Sequence, residues 1–326
     1  MKRILFVLLT LSLVFPFSSF QAKGAGYTDV PADFWAKDEI SYISSLGIIN
    51  GYEDGSFRPN NEVTRRQAAL IIGRALDIDT SNRQKPRFVD VPANDEAYPY
   101  IAALTEEGVF DNVTRFNPSD SLTRGQMAKI LVNSFDITGK SSKVFKDVPA
   151  GSWTYPYVTP LVASGITTGV NASYYAPNDS VSRAQMVVFI KRTLDYKSQS
   201  FHASEVLRLT NIERAKVGAP PLKLSSEVQP VAMLKAEDMA VNGYFAHQSP
   251  TYGSPFDMMK AFGVSYTRAG ENLFAGNSAP SVAVSSWMNS PGHRQNMLNP
   301  AFTHLGVGYA EGGPYRDYWV QMFITK

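Results

Sequence analysis

Three arginines occur in the same setting three times: Thr64-Arg65-Arg66-Gln67, Thr123-Arg124-Gly125-Gln126 and Ser182-Arg183-Ala184-Gln185. A Thr or Ser followed three residues later by Gln is a capping box, which opens a helix by satisfying free backbone N–H groups reciprocally. Each arginine then falls on the first helical residue, where its charge opposes the macrodipole at a cost of about 0.3 kcal/mol or more. A locally unfavourable choice made three times points to chemistry. A guanidinium beside a helix N-terminus is a site for an anion, and arginine can grip a carboxylate through two hydrogen bonds. The same arginines could instead pair with Asp29, Asp90 and Asp147 and lock successive copies together.

A second kind of chemistry is confined to the other end of the chain. All four histidines, His202, His247, His293 and His304, follow the third tetrapeptide. No cysteine occurs among the 326 residues, which excludes disulfide frameworks, thiolate metal sites, Fe–S clusters and a cysteine nucleophile. Any reaction must therefore use oxygen and imidazole. The 31 basic and 29 acidic residues give a formal charge of +2, and Lys2 and Arg3 account for that excess. No basic surplus remains for a phosphate backbone, so nucleic acid is not an expected partner.

The arginines must be positioned by a longer unit, which repeats. Tyr27-Thr28-Asp29-Val30-Pro31, Phe88-Val89-Asp90-Val91-Pro92 and Phe145-Lys146-Asp147-Val148-Pro149 open copies whose aspartates lie 61 and 57 residues apart. An apolar helical pattern follows each and ends at Gly47, Gly108 or Gly165. A loop carrying Phe57-Arg58-Pro59, Phe116-Asn117-Pro118 or Tyr175-Ala176-Pro177 then leads to the capping box. Ahead of the copies, Lys2-Arg3, an apolar run from Ile4 to Phe17 and small residues at Ala22, Gly24 and Ala25 read as a secretory signal peptide over residues 1–25. Its apolar run is shorter than the ~20 residues that cross a bilayer, and no later run is long enough, so no transmembrane segment is expected. Export without cysteine fits a Gram-positive bacterium.

The Asp-Val-Pro start, the glycine-closed helix, the aromatic-x-Pro loop and the arginine-bearing helix start resemble S-layer homology repeats, over about residues 27 to 195. The resemblance implies a mostly helical, three-pronged module, divided as 26–86, 87–143 and 144–195, that anchors an exported protein to secondary cell-wall polysaccharide, often one bearing pyruvate ketals. Such a ketal presents a carboxylate on a sugar ring, which suits an arginine site. Trp35 and Trp153, six residues after their aspartates, could stack on a sugar face or fill a core; copy two has Glu96 there. Copy two also has Asn112 in place of Gly51 and Gly169, and its loop between Gly108 and Arg124 is shorter. The expected polysaccharide residues are therefore Asp29, Trp35, Gly51 and Arg65 in copy one and Asp147, Trp153, Gly169 and Arg183 in copy three, with Arg124 in a degenerate copy.

Residues 196–203 lose periodicity and read as a linker. Beyond them, apolar residues at 206, 209 and 212 before Gly218 predict a helix over 205–217, with further helices near 227–242 and 282–288. Alternation through 305–309 and 318–324 predicts strands of a half-buried sheet. Helices around a small sheet give an α-β-α sandwich. Asn211 and Arg214, Tyr244 through Pro250, Ala269-Gly270-Glu271-Asn272, Trp287 through Arg294, Asn296-Met297-Leu298 and Gly306-Val307-Gly308 follow one another in this region. In that order they resemble the bacterial branch of the CAP superfamily, over residues 204–326.

That resemblance implies a cleft collecting His247, Glu271 and His293. Two imidazoles and one carboxylate can bind Zn²⁺ with a water in the fourth position. No Asp or Glu lies between Asn272 and His293, so the second acid of the fuller set is missing, and divalent-metal binding through His247 and His293 is expected to be weak. Ser249 and Ser290 are near the motif histidines, which leaves a Ser-His-Glu arrangement open, although neither serine sits in a nucleophile elbow. Gly270 and Gly292 are expected in tight turns. Three readings follow: a wall-anchored protein whose cleft binds a wall, lipid or peptide ligand; a wall-anchored hydrolase acting on peptide or peptidoglycan; or a purely structural coat component.

Overall fold

The structure, a computed structural model, describes residues 26–326; the expected signal peptide at 1–25 lies outside the described residues. The described residues divide into two compact units, one formed by 26–161 with 168–191, the other by 162–167 with 192–326.

In the first unit each copy contributes a short helix and a capped one: α1 (Lys37–Ser45) and α2 (Arg65–Ala75), α3 (Tyr98–Glu106) and α4 (Arg124–Phe135), α5 (Tyr155–Ala163) and the start of α6 (Arg183–Lys216). All three capping boxes form as the spacing predicts, with Thr64, Thr123 and Ser182 exchanging bonds with Gln67, Gln126 and Gln185. The residue before each box closes a ring. Val63 N–H donates to Val181 C=O, Leu122 N–H to Val63 C=O, and Val181 N–H to Leu122 C=O. All three side chains are fully buried, so this ring lies in the core.

The three repeated aspartates are spent on their own copy's loop. Asp29 accepts from the N–H groups of Phe57 and Arg58, Asp90 from Phe116 and Asn117, and Asp147 from Tyr175 and Ala176. Arg58, Asn117 and Ala176 have positive φ (57°, 56° and 60°), a conformation that non-glycine residues adopt at a steric cost. Two charge-assisted bonds per aspartate hold that turn in place.

The second unit is built on a four-stranded sheet in the order β1-β3-β4-β2. Its strands are β1 (Lys223–Leu224), β2 (Arg268–Ala275), β3 (His304–Gly312) and β4 (Arg316–Thr325), with β1 parallel to β3 and the other pairs antiparallel. Alternate residues of β4 supply two cores. Tyr318, Val320, Met322 and Ile324 pack with α7 (Val228–Asn242) and α8 (Pro255–Ala261). Trp319 and Phe323 pack with Ala203 and Val206 of α6 and with α9 (Pro280–Asn289) and α10 (Pro291–Leu298). The α-β-α sandwich is thus as expected, but the sheet is covered on both faces. The alternation in β4 separates two apolar sets rather than apolar from wet, and Asp317 to Ile324 are all buried. Gly308 lets α7 approach β3: a Cβ there would stand 2.0 Å from Ala232 O.

One expectation fails locally. Residues 196–203 are not irregular; they belong to α6, a single helix of 34 residues. The stretch holds neither Gly nor Pro, so nothing breaks the helix. Buried residues at 184, 186–190 and again at 203 and 206 flank a polar middle, which removes the periodic signal without ending the helix. Among the described residues no helix is long and apolar enough to cross a membrane.

Candidate functional site

The expected anion site at the helix N-termini is not open. Arg65 and Arg66 N–H donate to Asp120 and Pro118 C=O, Arg124 and Gly125 to Asp179 and Pro177, and Arg183 and Ala184 to Asn61 and Pro59. The next N–H in each helix goes to the cap hydroxyl. Carbonyls of a neighbouring copy thus take the donors that an anion would need. The arginine side chains cross in the same direction. Arg65 Nε donates to Phe116 O (2.7 Å), Arg124 Nε to Tyr175 O (2.9 Å) and Arg183 Nε to Phe57 O (2.8 Å). Each guanidinium also stands over the ring whose carbonyl it holds, at 4.8, 4.8 and 4.5 Å from the centroid. The arginines do lock copies together, through carbonyls and rings rather than through Asp29, Asp90 and Asp147.

This interlock regroups the candidates. Arg65 of copy one opens into a cavity of about 310 Å³ whose walls include Phe88, Asp111, Arg115 and Lys129 of copy two and Trp153 of copy three. Lys129 and Asp111 pair at 2.7 Å, leaving Arg65 and Arg115 as its excess positive charge. Burial pushes the Arg65 and Arg183 guanidinium pKa values down, so a bound anion there would relieve a desolvated charge. Trp35 and Trp153 are 60% and 55% exposed, which settles them as surface indoles rather than core. Gly51 and Gly169 instead make room for their own copy's opening ring: a Cβ would stand 2.2 Å from Tyr27 Cε1 or 2.4 Å from Phe145 Cε1. Asn112 in copy two accepts from Arg87 N–H. Residues grouped by copy along the chain are therefore grouped across copies in space.

In the second unit His247 Nδ1 lies 2.6 Å from Glu271 Oε1, with the imidazole 58% exposed and the carboxylate side chain 2% exposed. Glu271 Oε2 is buried without a hydrogen-bond partner in the described structure. The bond to Glu271 raises the His247 pKa, burial raises that of Glu271, and burial together with the charge of His247 lowers that of His293. His293 is thus within electrostatic range of the pair, although no hydrogen bond joins it to them. Glu271 is not at a turn: it sits in mid β2, opposite Met322 of β4. Gly270 lets α10 close onto β2, since a Cβ would meet Phe302 Cζ at 3.1 Å and Asn296 Oδ1 at 3.2 Å. Gly292 is in the first turn of α10.

Two asparagines set the distance between β2 and α10. Asn272 donates to His293 O and Gln321 Oε1, and Asn296 donates to Glu271 O and Asn272 Oδ1. Sequence reading also passed over Lys235. A lysine in an amphipathic pattern reads as solvent-facing, yet Lys235 is fully buried and donates to Tyr244 Oη and Ala246 O, which fixes the segment that presents His247. Ser249 is no nucleophile for His247: its hydroxyl donates to Asp238 and accepts from Thr251 and Tyr252 N–H. Among the described residues no three His, Asp or Glu side chains are grouped to hold a metal ion. His247 and Glu271 spend Nδ1 and one carboxylate oxygen on each other, which leaves His247 Nε2 and Glu271 Oε2 as the atoms of the pair that a metal could use.

Residues 26–69, 87–128 and 144–187 match the S-layer homology domain, and residues 207–323 match the cysteine-rich secretory protein family, CAP. Over 129 residues the chain is 53% identical to an uncharacterized protein of Bacillus subtilis, YkwD, covering 40% of this chain and 49% of that one. It is 32% identical over 178 residues to an S-layer protein of Bacillus thuringiensis, covering 53% and 22%. It is 33% identical over 180 residues to a Bacillus anthracis protein described as an uncharacterized cell wall amidase, covering 53% and 32%. The chain thus spans less than half the length of each of these relatives. A solved extracellular protein of Bacillus anthracis containing an SCP domain aligns at 37% identity over 39% of this chain and 41% of that one, with a TM-score of 0.36. These matches associate the chain with the cell surface, and the chain contains three S-layer homology repeats followed by a CAP domain.

Proposed function

We propose that this is a secreted, cell-wall-associated protein whose repeats hold secondary cell-wall polysaccharide through its acidic groups, pyruvate ketals among them. Its CAP cleft presents a binding site for a wall, lipid or peptide ligand. The observation that carries the anchoring half is the cavity at Arg65, where two excess cations and an exposed indole offer both a carboxylate and a sugar face their partners. Co-sedimentation with purified wall polysaccharide tests it. Retention that falls when pyruvate is removed chemically supports the reading, and equal retention before and after overturns the ketal.

A hydrolase acting on peptide or peptidoglycan is the second reading, favoured by the His247–Glu271 pair. A buried carboxylate orienting an exposed imidazole is the arrangement of a general base. Release of soluble fragments from purified wall, lost in His247→Ala and Glu271→Gln, would establish it over ligand binding alone. Weak Zn²⁺ binding by His247 and His293 belongs to the ligand-binding reading. Tight one-to-one binding abolished by His247→Ala would overturn that weakness.

A further inference from the structure

The loop that carries His247 has almost nothing apolar to hold it. From Gly243 to Gly253 every residue is exposed or half-buried except Ser249, and Ala246, His247 and Gln248 are all exposed. Yet His247 Nδ1 stands 2.6 Å from Glu271 Oε1, and a bond of that length needs a loop held to within about half an ångström. Something polar must fix it.

Two charged side chains of α7 do so. Lys235, Asp238 and Asn242 follow one another at three and four residues, so they share one stripe of the helix, beside the apolar stripe of Val231, Ala232, Ala236 and Met239. Asp238, 6% exposed, accepts four hydrogen bonds: Oδ1 from Asn242 Nδ2 (2.8 Å) and Thr251 Oγ1 (3.0 Å), Oδ2 from Ser249 Oγ (2.7 Å) and Tyr244 Oη. Four donors fill the lone-pair sites of an ionised carboxylate. Ser249 passes the hold on, since its hydroxyl accepts from Thr251 and Tyr252 N–H and its backbone exchanges two bonds with Gly253. Lys235, one turn earlier, donates from Nζ to Tyr244 Oη (3.0 Å) and to Ala246 O (2.9 Å), the carbonyl just before His247. His247 thus lies between two anchored stretches, 244–246 and 249–253. The charges of Glu271 and Asp238 both act on the Lys235 ammonium, so one buried cation serves two buried carboxylates.

We propose that Lys235 and Asp238 are positioning residues of the cleft: they bracket the loop on both sides of His247 and set its imidazole against Glu271. This rests on the reading of His247 and Glu271 as the working groups of the CAP cleft. Neither Lys235 nor Asp238 bonds to that pair among the described hydrogen bonds. The site then depends on α7, which carries none of its groups, as much as on β2 and the loop.

The test is NMR of the full chain, following the His247 Nδ1–H proton, which a bond to a carboxylate shifts far downfield, together with amide exchange. His247→Ala identifies the signal. Asp238→Asn accepts at one oxygen only, so two of the four donors lose their acceptor. The signal should be lost, and the amides of Ser249, Thr251, Tyr252 and Gly253 should exchange roughly tenfold faster or more, while Val320 and Met322 in β4 keep their protection. Lys235→Met should lose the signal with the same local pattern. If either variant fails to fold, Tyr244→Phe decides: it removes only the hydroxyl on which both charges meet, and the signal should fall by roughly half or more. An undiminished signal in Asp238→Asn, Lys235→Met or Tyr244→Phe would overturn the bracket while leaving the His247–Glu271 pair in place. So would exchange that rises equally in the loop and in β4 of a folded variant, which is the mark of a merely structural role. Lack of the signal in the unaltered chain would instead remove the pair, and with it the reading of the cleft.

Discussion

Glu271 has two oxygens in different circumstances, one bonded to His247 and one buried without a partner. The imidazole therefore gains its proton more readily than a free histidine, above 6.5, while His293 titrates below 6.5. Proton NMR of the ring C–H signals should show the two histidines on opposite sides of that value. Glu271→Gln should return His247 toward it, and two coincident titrations would refute the pairing. The sign for stability follows from linkage. His247 and Glu271 both have raised folded-state values, so their contribution is present below the unfolded values and is lost as pH rises through the raised ones. His293 acts oppositely and weakens the fold as pH falls through its lowered value. Glu271 and His293 were legible as cleft residues only by resemblance to a family. Their expected placement at turns failed because Gly270 and Gly292 are there for close packing and a helix start, uses that a glycine in a sequence does not distinguish.

At the scale of elements, Arg214 at the end of α6 shows how a helix can be pinned by one side chain. It is fully buried and donates to the carbonyls of Pro220, Met297, Asn299 and Phe302, tying three segments to one guanidinium. Arg214→Ala would strand several buried carbonyls, each costing ~1 kcal/mol or more, so the melting temperature of the CAP unit should fall by an amount equivalent to at least about 3 kcal/mol. Arg214→Lys should recover little, because an ammonium cannot reach three segments from one planar fork; near-complete recovery would show that charge rather than geometry matters. The capping boxes, the sandwich and both terminal strands were readable because each rests on local spacing. The course of α6 through 196–203 was not, since its polar middle carries no period, and β2 was missed because Arg268 to Ala275 shows no clean alternation. Its fate is decided by β4, about fifty residues later in the chain.

For the molecule as a whole, the two units differ in how their stability is distributed. Residues 192–326 contain both faces of the sheet and their covering helices, so this fragment should fold alone with a single thermal transition. A cut at Phe201 keeps His202, Ala203 and Val206 against the sheet but truncates their helix, and should melt lower. The repeats should behave in the opposite way from a linear array, in which each copy touches only its neighbours and folding can stop part-way. Here copy three returns to copy one: Val63 N–H needs Val181 C=O, and Arg183 needs the carbonyls of Phe57 and Asn50. Removing any copy leaves two open ends, unsatisfied N–H groups on a helix and an uncovered core. A fragment of copies one and two, residues 26–143, should therefore lack a cooperative melt. In the full chain the amides of Val63, Leu122 and Val181 should exchange hydrogen with the same protection, set by opening of the whole ring. A graded series, fastest in copy one and slowest in copy three, would mean that the copies open in turn and that the ring does not act as one unit.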